Sequence, residues 1–510
     1  MGNQAMASPD PTIASKTAAE AERAVISSST DRAWYHQPHL VYLNYIIISL
    51  VLFSSANGYD GSLMNGLQAL DQWNLFMDYP TGAKLGWINA ISLLGSGVAS
   101  PGAAWVANRF GRKPGIYGGY IFFDTRLGAA DRLSERDSLL AGPSIPHPSY
   151  RGLVNSLFMT GWYVGGSVSG WVIFAVRTYS SSWSWRLPSL LQALLPVVAL
   201  PGLLLAPESP RWLISQGRED EAYAILMRYH AAGRRSSLVD AEFQEIRATI
   251  RAEQDAHGGA SYAEMFSTPG NRHRLIISLS LGFFAQWVGN GVISYYLALI
   301  LDTVGVTSVR DQTLISAFLQ MWNLLFAVVG SLLIDRFGRR PLFLSSAMIM
   351  LVSYVLVTAL SGSFAMTRHA ATGGAVIPFL FIFFAGYGVA LTPLLTAYPC
   401  EIWSFRLRSR GLAVTWMSTV CASFFNIFVN PIALEAIAWK YYLIFVAVLL
   451  LFGVTAYFLY PETKGYTLEQ IAVIFDGRTN PLDDIETEPK SLDTAEDSKG
   501  VTLAIHQETT

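Results

Sequence analysis

Stretches of about 20 apolar residues recur along this chain, and each could cross the hydrocarbon core of a bilayer as a helix. They fall near 40–59, 85–107, 153–176 and 187–206 and then, past a polar interval, near 275–301, 314–334, 342–360, 376–398, 412–434 and 441–460. Lipid offers no water to backbone N–H and C=O groups, so runs of this kind fold as helices that satisfy themselves. Charged residues make up 14% of the chain, against about 25% in a soluble domain. The expected fold class is an all-α polytopic membrane protein with about ten confident spans, four before the polar interval and six after it.

The intervals set the domain organisation. Residues 1–39 are rich in Ala, Ser and Thr and lack the apolar core of a signal peptide, so they read as a disordered cytosolic tail. Residues 40–206 form an N-terminal transmembrane half, 207–274 a cytosolic linker with short helices near 219–229 and 240–254, 275–460 a C-terminal transmembrane half, and 461–510 a cytosolic tail. One block is aberrant. A third apolar run starts at Gly115 and stops at Phe123; Asp124, Arg126, Asp131, Arg132, Glu135, Arg136 and Asp137 follow, then Pro143, Pro146 and Pro148. A charge at the bilayer centre costs ~2.5–3.5 kcal/mol even on the mildest scale, so 124–150 does not cross. Span three is therefore truncated and span four apparently missing; a misread gene segment and a lineage-specific deletion both account for it.

Positive charge sets the orientation. With the N-terminus inside, the cytosolic segments hold Arg109, Arg112, Lys113 and Arg151, the Arg-rich linker, Arg336, Arg339 and Arg340, and Arg406, Arg408 and Arg410. The opposite loops hold far fewer basic residues. Both termini are thus expected in the cytosol. Cys400 and Cys421 fall at or inside apolar segments, which leaves no disulfide framework or metal cluster. No G-x-x-x-x-G-K-[ST] phosphate loop occurs, which disfavours ATP-driven transport, and no nucleophile elbow or metal-spaced His/Cys set suggests an enzyme. Neither a cofactor nor nucleic acid is expected as a partner.

An internal repeat relates the two halves. Arg109-Phe-Gly-Arg-Lys follows the second span, and Asp335-Arg-Phe-Gly-Arg-Arg follows the second span after the linker. Pro207-Glu208-Ser209 closes the first half, and Pro461-Glu462-Thr463-Lys464-Gly465 closes the second. Together with Pro207-Glu208-Ser209-Pro210-Arg211, these motifs resemble the sugar porter family of the major facilitator superfamily, over most of residues 40–476. Gln286-Trp287-Val288-Gly289-Asn290 leading to Tyr295-Tyr296, Tyr398-Pro399-Cys400-Glu401-Ile402 and Asn430-Pro431-Ile432-Ala433-Leu434 are similar to its fungal lactose-permease-like branch. The resemblance implies two six-helix halves that alternately open to each side of the membrane.

Asp60, in Gly58-Tyr59-Asp60-Gly61, is the sharpest candidate for chemistry. A protonated carboxyl is cheap in a membrane and an ionised one is not, so an Asp lining a cavity can carry a proton. The other reading puts it in water, at a helix end near residue 59. The resemblance favours the proton role and implies an Arg partner in span four, the segment this chain lacks. Gln286 and Asn290 are four apart and would share one helical face. With Tyr295 and Tyr296 they could bind sugar hydroxyls and the ring's C–H surface, or merely hold helices together. Asn323, twelve residues before Asp335, stands where the resemblance implies a substrate Asn. Thr396 replaces an expected Trp, and Tyr387 could supply the aromatic contact instead; Asn426 and Asn430 are further cavity candidates. Arg109, Arg112, Glu208, Arg211, Asp335, Arg336, Arg339, Glu401 and Arg408 resemble an inner charge network that pairs across the halves when the outside is open.

The function expected is secondary active transport of a sugar, hexose or disaccharide, with protons, across a fungal plasma membrane. Export of a specialised metabolite, a non-transporting sugar sensor and an inactive truncated transporter are the alternatives.

Overall fold

In a computed structural model that describes residues 34–110, 113, 151–257, 261–404, 407–466 and 468–476, long helices run up and down between two ends. The first half holds α1 (Pro38–Leu67), α2 (Gly82–Phe110), α3 (Arg151–Val176) and the pair α4 (Trp183–Leu191) and α5 (Leu194–Leu205). The second holds α6 (Pro269–Trp287) and α7 (Asn290–Thr303), then α8 (Val309–Phe337), α9 (Arg339–Thr367), α10 (Val376–Ile402), α11 (Arg408–Ile437) and α12 (Tyr442–Leu459). Each apolar run expected to cross has become a helix or a broken pair of helices. Seven helical stretches among the described residues are long and apolar enough to cross a membrane. The truncated third run and the block 124–150 lie outside the described residues.

One end of the bundle carries the linker and the chain's outer segments, and is called the linker side; the other is the loop side. The linker folds as helices Pro210–Ser215, Glu219–His230 and Ser237–His257. These dock beneath α1, where Tyr229 packs on Leu40, Leu43 and Leu203 and its ring stacks on Tyr42 at 5.9 Å. The linker's last turn, Tyr262–Phe266, instead packs against the second half, with Met265 buried in its core. Helix Leu468–Asp476, within the stretch expected to be a cytosolic tail, is held to the start of α6. There the Arg274 guanidinium donates to both Asp476 carboxylate oxygens at 3.0 Å and to the Ile402 carbonyl at 2.9 Å, with Phe475 against its face at 4.6 Å.

The end of α1 differs from expectation. The helix does not stop near residue 59 but runs on to Leu67. Its glycines mark a helix crossing, not a terminus: a Cβ on Gly58 would lie 1.8 Å from the Trp162 carbonyl oxygen of α3. Only a residue without a side chain lets two backbones approach this closely, the small-residue packing typical of membranes.

Span seven is where the helical rule breaks. Gly289 adopts φ +105°, in the left-handed region open to glycine, and separates α6 from α7. A second irregularity follows at Tyr296, with φ −137° and ψ 31°. Non-helical backbone at membrane depth persists only where protein or a cavity satisfies it. Broken spans of this kind therefore mark the interior of a helical bundle rather than its lipid face.

Candidate functional site in the bundle interior

Asp60 sits seven residues inside the end of α1 and is half-buried, which rules out the exposed helix end. Its carboxylate accepts a hydrogen bond from the Gln192 side chain, between α4 and α5. Gln192 was not among the residues singled out from sequence. It gives Asp60 a neutral amide partner within the first half, whereas the basic side chains of 124–150 lie outside the described residues. Beside it, the Tyr59 hydroxyl donates to the Pro188 carbonyl of α4 at 2.8 Å.

Gln286 and Asn290 do not share a helical face, because the Gly289 break puts them on α6 and α7 respectively. Gln286 is half-buried, and its side chain makes no hydrogen bond among the described residues. Asn290, Asn323 and Asn426 are buried, yet the Asn290 Oδ1, Asn323 Oδ1 and Asn426 Nδ2 atoms have no hydrogen-bond partner among the described residues. Leaving such an atom bare costs about 1–3 kcal/mol, so each is poised to gain from a polar ligand. Asn426 is otherwise anchored: its Oδ1 accepts from Asn430 Nδ2 at 2.9 Å, and Asn430 Oδ1 accepts from the Tyr441 hydroxyl at 2.7 Å. Asn430 is thereby committed within the second half.

The tyrosines are also committed to backbone. Tyr387 donates to the Ala285 carbonyl at 2.9 Å, and Tyr296 donates to the Ile427 carbonyl at 2.7 Å. Tyr295 is half-buried, and its carbonyl accepts from Nε2 of Gln68, the residue that caps the end of α1, at 3.0 Å. The hydroxyls of Tyr296 and Tyr387 therefore shape the broken span in this state, and both rings are buried in the core.

Contacts between the halves gather on the loop side. Asn65 and Gln68 bond α7, Gln320 Nε2 donates to Ser62 Oγ at 3.1 Å, and Trp171 meets Phe318 edge-on at 5.5 Å. Trp87 of α2 likewise lies 5.4 Å from Phe428 of α11. Near the middle, the Tyr163 and Thr392 hydroxyls bond at 3.0 Å.

The linker side looks different. Arg339 holds Glu401 through Nε at 3.1 Å and Nη2 at 2.7 Å, and Thr463 donates to the same carboxylate. Glu462 accepts from the backbone N–H groups of Arg339 at 2.9 Å and Arg340 at 3.0 Å, capping the start of α9. All of these belong to the second half. In the first half Glu208 accepts from the Lys113 N–H at 3.4 Å. Lys113 matches Arg340 and Glu208 matches Glu462, so the repeated motifs make the same backbone-to-carboxylate contact in each half. Glu462 was named as a landmark but not as a working charge; placing the repeats side by side would have found it. Arg109 and Arg336 are exposed, and Arg211 and Arg408 are half-buried. Arg112 and the Asp335 side chain lie outside the described residues.

Burial pushes the Glu462 carboxyl up, but the N–H donors of Arg339, Lys464, Arg340 and Thr463 outweigh this and hold it below the usual carboxylate value. A lowered folded-state value gives stability that is fully present above the unfolded-chain value and is lost as pH falls through the lowered one. Glu462→Gln is expected to cost about 1 kcal/mol at pH 7, the scale of a carboxylate at a helix N-terminus. In thermal unfolding the gap from the parent should close in acid. A gap of constant size from neutral to acid pH would assign the cap to shape rather than charge.

A sequence profile of the family described as "Sugar (and other) transporter" matches residues 144–475. Among curated relatives, the MFS-type transporter oryC of Aspergillus oryzae is 26% identical over 423 residues, covering 81% of this chain and 76% of its own. The Sugar transporter STL1 of Saccharomyces cerevisiae is 30% identical over 328 residues, covering 64% of this chain and 56% of its own. Among solved structures, the inward open conformation of the xylose transporter XylE from E. coli superposes with a TM-score of 0.70 at 20% identity, over 85% of this chain and 100% of that one.

Proposed function

Because the chain belongs to the sugar transporter family, we propose that it carries a sugar together with a proton, by alternating access between its two helical halves. It is a multi-pass membrane transporter and not an enzyme. The observation that carries the sugar reading is the set of buried, unpaired amide atoms on Asn290, Asn323 and Asn426. They are donors and acceptors of the kind hydroxyl groups pair with; Asn290 opens the second part of the broken span and Asn426 lies against Gly291 in it. Gln286, which has no described partner, adds a further amide next to the break. The half-buried ring of Tyr295 supplies an apolar face for the C–H surface of a sugar, and Tyr296 and Tyr387, buried behind it in the core, hold the span that carries it.

Asp60 is the proton carrier in this reading. Gln192 can donate to an ionised Asp60 and accept from a protonated one, so the pair tolerates both charge states without moving a full charge of its own. The basic linker side faces the cytosol, by the excess of Lys and Arg in its segments, and the membrane is the plasma membrane. The inner charges then work as two latches. In the state seen here the Arg339–Glu401 pair closes within the second half; Arg109, Arg112, Glu208, Arg211, Asp335, Arg336 and Arg408 exchange partners across the halves when the loop side opens.

Gln286→Ala and Asn323→Ala are each expected to weaken sugar binding about tenfold, the worth of one hydrogen bond of 1–1.5 kcal/mol. Protein yield and melting temperature should stay near the parent's. Isothermal binding with a panel of hexoses and disaccharides, alongside thermal unfolding, measures both. Loss of fold with unchanged affinity in the surviving protein would make these amides structural.

A further inference from the structure

Between its helices Glu219–His230 and Ser237–His257 the linker makes a sharp turn whose residues 232–235 are all exposed. Ala232 and Gly233 take φ +53° and +80°, and a Cβ on Gly233 would meet nothing within 4 Å. Arg234 and Arg235 follow, then Ser236 and Ser237. Ser236 is half-buried and committed. Its Oγ accepts from the Val239 N–H at 3.3 Å and its carbonyl from the Asp240 N–H at 3.1 Å, which fixes where the next helix begins. Val239, Phe243, Ile246 and Ile250 of that helix form part of the linker core. Ser237 stays outside this core; it is exposed, and its side chain makes no hydrogen bond among the described residues. Of the Ser and Thr residues in 207–274, only Ser237 has Arg at both the second and the third position before it. Two guanidiniums at a fixed distance from a free hydroxyl suit an acidic cleft, which holds them by charge-assisted, bidentate contacts.

We propose that Ser237 is a phosphorylation site for a serine kinase whose substrate cleft is acidic. Ser237 Oγ attacks the γ-phosphorus of a nucleoside triphosphate held by that kinase. The bond to the bridging oxygen breaks, the nucleoside diphosphate leaves with the electron pair, and the hydroxyl proton passes to the kinase's carboxylate base. The phosphate brings a charge of about −1.5 to −2 beside Arg234 and Arg235, so the turn passes from basic to near neutral. Ser236 is not the target, because its hydroxyl is already spent on the helix start. The inference goes beyond transport and rests only on the linker's placement in the cytosol, where nucleoside triphosphates and kinases are found.

The full-length protein in detergent, given γ-labelled ATP and the catalytic domain of an Arg-directed serine kinase, should take up label at Ser237, located by tandem mass spectrometry. Ser237→Ala should lose the label and Ser236→Ala should keep it. Arg234→Ala with Arg235→Ala should slow labelling by about tenfold or more, the scale of one or two charged hydrogen bonds. Arg234→Lys with Arg235→Lys should recover part of the rate, since charge remains without the bidentate fork; this pair also serves if the Ala pair melts early. Label absent from the folded parent, label placed on Ser236, or equal rates with and without the two arginines would each overturn the site. In sealed vesicles, kinase added outside should label inside-out preparations only. Labelling of right-side-out vesicles instead would overturn the cytosolic placement of the linker while leaving the site itself standing.

Discussion

Asp60→Asn is expected to abolish accumulation of sugar against its gradient while leaving exchange of labelled for unlabelled sugar running. Asn fills the same volume and can still bond Gln192, so the contact between α1 and the α4–α5 pair survives. What disappears is a group able to change charge at this depth. A transporter driven by protons needs its two access states to differ in their preference for the protonated form. With a permanently neutral side chain that difference vanishes, and only equilibrating movement remains. The loss is total rather than graded, since each tenfold of accumulation requires about 1.4 kcal/mol of coupled driving force. Sugar uptake at several external pH values in cells or vesicles measures it. Uphill accumulation by Asp60→Asn would place the coupling group elsewhere. The companion change Gln192→Ala should leave coupling in place and shift its pH dependence, because it removes a partner and not the proton carrier.

Gly289→Ala is expected to remove most of the folded protein. The residue sits at φ +105°, and an added Cβ would fall 2.4 Å from the Tyr354 ring, whose hydroxyl is anchored on the Gly289 carbonyl. Left-handed backbone costs a residue with a side chain about 1–2 kcal/mol, and overpacking a dense core adds about 1–3 kcal/mol. Both act at one point, and the ring cannot swing away without abandoning its hydrogen bond. Gel-filtration yield and thermal unfolding in detergent are the readouts. Tyr354→Leu added to Gly289→Ala should recover part of the yield by clearing the ring, with the backbone cost remaining. A parent-like melting temperature for the single variant would mean that the break relaxes freely, contrary to its role as a fixed feature of the second half.

The spans were legible because hydrophobicity and length suffice to define a membrane helix, and the halves because their motifs repeat in order. Glycine was the ambiguous letter. Gly58 and Gly61 read as the end of a helix, yet they mark where α1 meets Trp162 of α3, a distinction set by a neighbour more than a hundred residues away. Gly289 gave the opposite error: a four-residue spacing suggested one face for Gln286 and Asn290, and the glycine between them broke it. Periodicity presumes an unbroken helix, and nothing local announces the left-handed turn. Gln192, Asn65 and Gln68 were invisible for another reason. Single amides in apolar runs carry no pattern, and their meaning comes from the partner across the bundle. The docked helix Leu468–Asp476 did leave a signal, since Leu468, Ile471 and Phe475 recur at helical spacing. Its polar surroundings outweighed that signal.

The most direct measurement places the purified protein in sealed liposomes and imposes a proton gradient, with labelled hexoses, pentoses and disaccharides offered in turn. The account predicts that at least one sugar accumulates above its external concentration only while the gradient is present, that protons move with it, and that an uncoupler collapses both. Accumulation that ignores the gradient, or a protein that moves no sugar in either direction across the panel, would contradict it.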